Sequence, residues 1–349
     1  ALSVTIMGTI MAATTGIIGA SVVMMTLLAL PVMLDRDYDP SLATGTIAAS
    51  GTLGILIPPS IMLVIMADLL SISVGTLFLA AVIPGFLLAF IYTVYIYLRT
   101  KFNPKLAPPL PDDLGPKTKT ELWKMIFKSF IPPIFLIMCV LGSIFAGIAT
   151  PTEAAAVGAL GSILLALFNK RLTKTVIKSV TERSALTCAM IFGIFIGATA
   201  FSYVFRSLGG DDLIHHFVES MGLGSWGILF FMMGMVFLLG FFFDWVEITL
   251  IVLPLFAPIL ATLDFGTHLD PTMVIPWVAV LIAVNLQTSF LTPPFGFALF
   301  YLKGVAPPSI KIQTIYKGII PFVLLQLVGL ILIIIFPELV LWLPTKLLD

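Results

Sequence analysis

Two polar stretches, each closed by a double proline, interrupt runs that are otherwise apolar. One is Ser50-Gly51-Thr52-Leu53-Gly54-Ile55-Leu56-Ile57-Pro58-Pro59-Ser60. The other is Asn285-Leu286-Gln287-Thr288-Ser289-Phe290-Leu291-Thr292-Pro293-Pro294-Phe295-Gly296. Proline has no N–H to give and its ring clashes with the preceding turn, so neither segment runs straight through as a helix. In hydrocarbon the freed carbonyls find partners only inside protein or beside a water-filled cavity. Backbone carbonyls and neutral hydroxyls suit a hard monovalent cation such as Na⁺. The half-helix amino end beyond each break, with its N–H groups and positive dipole end, suits a carboxylate. Paired interruptions in corresponding places of two halves point to a transporter's binding site.

Each break has a polar companion earlier in its half. Gly16, Gly19 and Ser21 interrupt one apolar pair, and with Ser50 and Thr52 they make a first candidate Na⁺ site. Asp244 and Glu247 flank Trp245 in a second pair. Asp244 with Asn285, Thr288, Ser289 and Thr292 makes a second candidate Na⁺ site. Candidate substrate contacts are Pro58, Pro59, Ser60, Glu247, Pro293, Pro294 and Gly296. A carboxylate inside a membrane costs roughly 2.5–3.5 kcal/mol on insertion scales, so it is expected to meet a cation or an aqueous path. Blander uses exist for the same residues. Ser and Thr bond their own helix backbone, and Asp244 and Glu247 cap a helix start. Glu153 reads as part of a helix start capped by Thr150 or Thr152. His215 and His216 lack further ligands for a metal. HExxH, GxSxG and phosphate-loop patterns are absent, so no enzyme motif is present.

The elements that must position these residues are membrane helices. The 349-residue chain is 59% hydrophobic and only 10% charged, with zero net charge and a mean hydropathy of +1.14. A soluble domain carries about 25% charged residues, and roughly 20 apolar residues cross a bilayer. Apolar segments fall near 3–20, 21–34, 41–70, 74–98, 130–147, 152–168, 184–207, 225–243, 246–263, 271–303 and 316–343. A polar linker covers 99–129, an amphipathic surface helix 169–183, and a short interfacial piece 208–222 starting at Asp211-Asp212. Pro-Pro at 108–109, 132–133 and 307–308 falls in a polar loop or near helix starts. Cys139 and Cys188 read as small buried side chains rather than a disulfide.

If 3–34 and 225–263 are re-entrant hairpins, each half reads hairpin, broken helix, full helix, and the halves are inverted copies. The basic residues then fall almost wholly on the inner face, with only Arg206 and Lys346 outside, as the positive-inside rule asks. The expected fold is therefore an all-α polytopic membrane protein, an inverted-repeat transporter with two re-entrant hairpins and two broken helices. Its parts are 1–98 (first-repeat transport portion), 99–129 (cytoplasmic linker), 130–207 (scaffold) and 208–343 (second-repeat transport portion). By symmetry, three crossings are expected ahead of Ala1.

Gly147-Ile-Ala-Thr-Pro-Thr-Glu-Ala-Ala-Ala-Val-Gly158, Tyr38-Asp-Pro before the Ile57-Pro-Pro-Ser60 break, and Asn285 to Leu291 followed by Thr-Pro-Pro-Phe-Gly296 together resemble the large membrane subunit of tripartite ATP-independent periplasmic (TRAP) transporters. The resemblance spans nearly the whole chain. It implies a Na⁺-driven elevator importer of organic acids in the cytoplasmic membrane of a bacterium or archaeon. It also implies a small membrane subunit and a periplasmic substrate-binding protein as partners. The family's first hairpin tip usually carries more serine than this one, where Ser21 alone remains. Gln287-Thr288-Ser289-Phe290 and the acidic pair about Trp245 look most like the branch for 2-oxo acids and lactate-like or aromatic carboxylates. Rival readings are a stand-alone anion symporter, a passive channel, and an intramembrane enzyme using Asp244 and Glu247.

Overall fold

The computed structural model describes residues 1–16, 18–108, 118–220 and 222–348. Among them the chain is helical without strands, and six helices are long and apolar enough to cross a membrane. The chain is a multi-pass membrane protein. Its residues gather into two units, one of 1–108 with 198–349 and the other of 109–197.

The first unit opens with two short helices, α1 (Leu2–Thr15) and α2 (Ile18–Leu34), packed on each other. Next comes α3 (Pro40–Thr52), started by Asp39, whose side chain accepts from Leu42 N at 2.8 Å, with Pro40 ahead of the first turn's unpaired donors. A 3₁₀ turn over Leu53–Ile55 follows. The chain then breaks at Pro58-Pro59 and resumes as α4 (Ile61–Leu69) before the long α5 (Val74–Phe102).

In the second unit α6 (Lys119–Phe145) packs on α7 (Pro151–Phe168). Thr150 starts α7 by a reciprocal cap. Glu153 N donates to Thr150 Oγ1 at 3.3 Å, and Thr150 N donates to Glu153 Oε2 at 2.8 Å. The next helix, α8 (Lys174–Ser207), belongs to this unit as far as Gly197 and to the first unit from Ala198.

Back in the first unit, α9 (Gly210–Ser220) leads to a second pair, α10 (Ser225–Leu239) and α11 (Trp245–Leu260). A second broken helix follows as α12 (Val274–Ser289) and α13 (Phe297–Val305), then α14 (Ile312–Ile335) and α15 (Glu338–Leu348). The order short pair, broken helix, long helix thus occurs twice. Packing repeats with it. α1 lies on α3 as α10 lies on α12, α2 meets α13 as α11 meets α4, and α3 meets α14 as α12 meets α5. The four helices of the short pairs have 14, 17, 15 and 16 residues, below the roughly 20 of a full crossing.

Several boundaries differ from those the sequence suggests. The amphipathic stretch 169–183 and the apolar stretch 184–207 form one helix, α8, because residues 174–192 contain no glycine or proline to part them. Residues 99–102 belong to α5 and 119–129 to α6, so the polar linker is shorter than expected; 109–117 lie outside the described residues, as do Ile17 and the side chains of Asp211 and His215. Since α6 starts at Thr118, whose Oγ1 accepts from Glu121 N, Pro132-Pro133 lies inside that helix rather than at its start. The apolar run 316–343 is split at Phe336-Pro337. Pro337 cannot bond the Ile333 carbonyl, which accepts from Trp277 Nε1 at 3.1 Å, while His268 Nε2 donates to the next carbonyl, Ile334 O, at 2.9 Å. Both cysteines are free, and Cys188 is exposed rather than buried.

Candidate substrate and cation site at the two breaks

The two breaks solve the loss of a helical donor differently. Ile55 lies four residues before Pro59, so its carbonyl has no helical N–H to accept from; Ser60 Oγ donates to it instead. Phe290 stands in the same relation to Pro294, and there Ala298 N in α13 donates at 3.2 Å. Pro58-Pro59 and Pro293-Pro294 are both cis. Removing the first substitute should be felt. Ser60→Ala leaves a buried carbonyl unpaired, for a loss of about 1–3 kcal/mol, read as a lower melting temperature of the purified protein. An unchanged melt would show that Ile55 O does not depend on Ser60.

Each short pair is pressed against the break of its own repeat. A Cβ on Gly8 of α1 would lie 2.5 Å from Ser50 Cβ, and one on Gly51 would lie 2.6 Å from Val22 Cγ2 of α2. At the tip, Gly16 has φ +60° and faces the Pro59 carbonyl, while Gly19 lies against the Tyr301 ring of α13. In the other repeat, a Cβ on Gly240 would lie 2.4 Å from Ser289 Cβ, and Asn285 Nδ2 donates to Met233 O of α10 at 2.7 Å. Thus Gly16 is brought to the first break, Ser50 meets Gly8 of α1, and Gly19 lies instead against α13 beyond the second break, with Ser21 buried in the first turn of α2. Gly240 and Met233 have no polar side chain to announce them. A glycine at the end of an apolar helix was the only signal available.

Five candidate hydroxyls, buried or half-buried, donate to backbone carbonyls three or four residues back. Ser50 Oγ bonds Thr46 O (2.6 Å), Thr52 Oγ1 bonds Ala49 O (2.9 Å), and Thr288 Oγ1 bonds Asn285 O (2.6 Å). Ser289 Oγ bonds Leu286 O (2.5 Å), and Thr292 Oγ1 bonds Thr288 O (2.6 Å). This is their ordinary structural use. It also spends the proton and leaves oxygen lone pairs, the part of a hydroxyl that a cation needs. Asp244 caps α11, its Oδ1 accepting from Trp245 N at 2.8 Å. Gly240 and Met233 join α10 to the second break, and α11 also packs on α12. Glu247 Oε2 is buried without a hydrogen-bond partner.

Beyond each break the half-helix amino end lacks a side-chain cap. Ser60 spends its hydroxyl on Ile55 O, and Gly296 (φ +25°) has no side chain to offer α13. The first break is buried from Ser50 to Pro58, whereas Pro294 and Phe295 in the second are exposed. Sequence reasoning passed over two buried polar side chains that find no hydrogen-bond partner, Thr249 on α11 and Thr46 on α3, and used Gln287 on α12, in the same condition, only as part of a branch resemblance. A polar residue in an apolar run is visible, but whether a neighbour satisfies it is a tertiary property.

Residues 1–339 match the model of the family described as the tripartite ATP-independent periplasmic transporter, DctM component. The chain belongs to this family. A C4-dicarboxylate TRAP transporter large permease protein of Pseudomonas aeruginosa is 32% identical to it over 336 residues, covering 95% of this chain and 74% of the relative. A sialic acid TRAP transporter permease protein of Haemophilus influenzae is 30% identical over 319 residues, 90% of this chain and 48% of the relative. An ectoine TRAP transporter large permease protein of Halomonas elongata is 28% identical over 319 residues, covering 90% and 70%. These relatives are named as transporter permeases and not as enzymes. The TRAP motifs quoted from the sequence fall on the first break, the second break and the capped start of α7.

Proposed function

We propose that this TRAP permease imports organic acids, with C4-dicarboxylates and 2-oxo acids as the leading classes, by Na⁺ symport. In this reading a small membrane subunit lies alongside and a periplasmic binding protein delivers the substrate. The observation that carries it is the pair of uncapped half-helix amino ends behind the two breaks, the first buried and the second partly open. Helix ends without caps need partners, and a carboxylate meets both the N–H groups and the dipole. Carbonyls and hydroxyls at the carboxyl ends of α3 and α12 supply neutral oxygens for Na⁺ at the first and second sites, with Asp244 adding a charge at the second. The short lengths of α1, α2, α10 and α11 favour re-entrant pairs over full crossings. A mobile body made of both pairs and both broken helices would carry the site across the membrane.

Uptake into liposomes tests this reading. Permease and small subunit are reconstituted together, with or without the binding protein and with Na⁺ or K⁺ outside. Labelled succinate and pyruvate are expected to accumulate only with both Na⁺ and the binding protein. Accumulation that is equal in K⁺ would remove the sodium coupling. Accumulation that is undiminished without the binding protein would make the chain a stand-alone symporter.

A further inference from the structure

The helices α6 and α7 pack antiparallel. A Cβ on Gly158 would lie 3.1 Å from Val140 Cγ2, and one on Gly161 would lie 2.3 Å from Leu136 Cδ1, so α6 runs back as α7 runs forward. Carried past the end of α7 at Phe168, that register sets Lys170 and Arg171 at the level of the α6 turns that hold Lys124 and Lys128. All four cations are exposed, and among the described residues none of them makes a salt bridge. From Thr118 to Arg183 the acids are Glu121, Glu153 and Glu182. Glu153 caps the far end of α7, and Glu182 pairs with Lys178 at 3.7 Å.

Two features of this basic end are unfavourable by themselves. Lys124 and Lys128 stand one turn apart on one face of α6, where like charges repel. Lys170 has φ +54°, the left-handed conformation that glycine adopts without strain. It closes α7 there, its N–H donating to Leu167 O and that of Arg171 to Ala166 O, both at 2.9 Å. Helix dipoles account for half of the cluster at most. Cations suit the carboxyl end of α7, but Lys124 and Lys128 fall in the amino-terminal half of α6, where the dipole does not favour them. An aromatic stripe runs beside the lysines: Trp123 and Phe127 are exposed, with ring centroids 6.1 Å apart. Tryptophan next to lysine at the end of a membrane helix suits the headgroup region of a bilayer.

We propose that this end of the α6–α7 pair binds an anionic phospholipid. Lys124, Lys128, Lys170 and Arg171 hold its phosphate, and Trp123 and Phe127 lie along its acyl chains. The phosphate offsets the repulsion between the lysines and accepts their N–H groups. The site uses α6 and α7 alone, so it stands apart from the substrate and sodium readings above.

Quenching of Trp123 fluorescence tests it. Permease and small subunit are reconstituted in phosphatidylcholine bilayers containing brominated phosphatidylglycerol or brominated phosphatidylcholine, and Trp123→Phe gives the background of the other four tryptophans. Phosphatidylglycerol is expected to quench Trp123 at a mole fraction at least about tenfold below that needed of phosphatidylcholine. Lys128→Gln and Arg171→Gln should each weaken this preference about fivefold, while Lys101→Gln on α5 should leave it unchanged. Lys170→Gly separates binding from folding. It relieves the left-handed strain, so in detergent free of anionic lipid it should melt at or above wild type, yet lose the preference by the same factor. Equal quenching by the two lipids overturns the proposal, and so does a full preference in Lys170→Gly. Melting of Lys170→Gly below wild type overturns it too, since the lysine would then be structural. Reversal of the quenching by soluble glycerol 3-phosphate would make this a site for a free phosphate ester and equally overturn the lipid.

Discussion

Gly45→Ala is expected to abolish most folded protein. A Cβ at this position of α3 would lie 2.2 Å from Gly318 O and 2.6 Å from Gly318 C on α14. The approach is mutual, since a Cβ on Gly318 would lie 2.2 Å from Ser41 O. The obstructing atoms are main chain on both sides, so no rotamer change makes room. The two helices must separate, and the buried surface along their crossing opens. Overpacking of a core costs about 1–3 kcal/mol and occasionally more; contact with backbone puts Gly45→Ala at or above about 3 kcal/mol. Size-exclusion profiles of detergent extracts, with melting curves of whatever elutes as a single species, measure it. A Gly45→Ala protein that melts with wild type would mean that the α3–α14 approach is looser than described. Gly318→Ala should behave in the same way.

Gly8→Ala makes a second large effect, of a kind that can be reversed. Its Cβ would meet Ser50 Cβ at 2.5 Å, a side-chain atom rather than backbone. The expected result is a loss of about 1–3 kcal/mol in stability together with loss of uptake, because α1 can no longer close on the first break. Ser50→Gly removes the obstructing atom. The double variant should regain most of the lost stability, less about 1 kcal/mol for a glycine placed inside a helix. Uptake need not return with it, since Ser50 is itself a candidate cation ligand. Recovery of both would argue that its hydroxyl contributes nothing to ion binding. Additive destabilisation by the two changes would contradict the contact itself.

The two predictions differ in how well the sequence announces them. Both breaks are plain in the sequence, because the missing N–H of Pro58-Pro59 and Pro293-Pro294 is a covalent fact that no tertiary context restores. The cap at Thr150 is equally local, three residues from Glu153. What replaces a lost bond is not local: Ser60 reaches back five residues, and Trp277 bonds a carbonyl of α14. The merging of 169–183 with 184–207 into α8 escapes a reading based on side-chain polarity, since amphipathic and apolar stretches share one backbone geometry. Gly45 and Gly318 are two glycines among 27. Nothing near either residue marks the other as its neighbour. The same holds for Gly240, which lies against Ser289 of the second break.

The crossed packing of the repeats has a consequence for how the chain is made. α2 rests on α13, and α4 on α11. At about 5–20 residues per second, the ribosome needs some tens of seconds after finishing α2 before α13 exists to receive it. During that interval the first half has its helices but lacks the partners that cover them, with a broken backbone waiting inside a lipid-facing bundle. Each half packs against the other as well as on itself, so a nascent chain arrested before α11 is expected to display Pro58-Pro59 to whatever quality-control protein surveys the membrane.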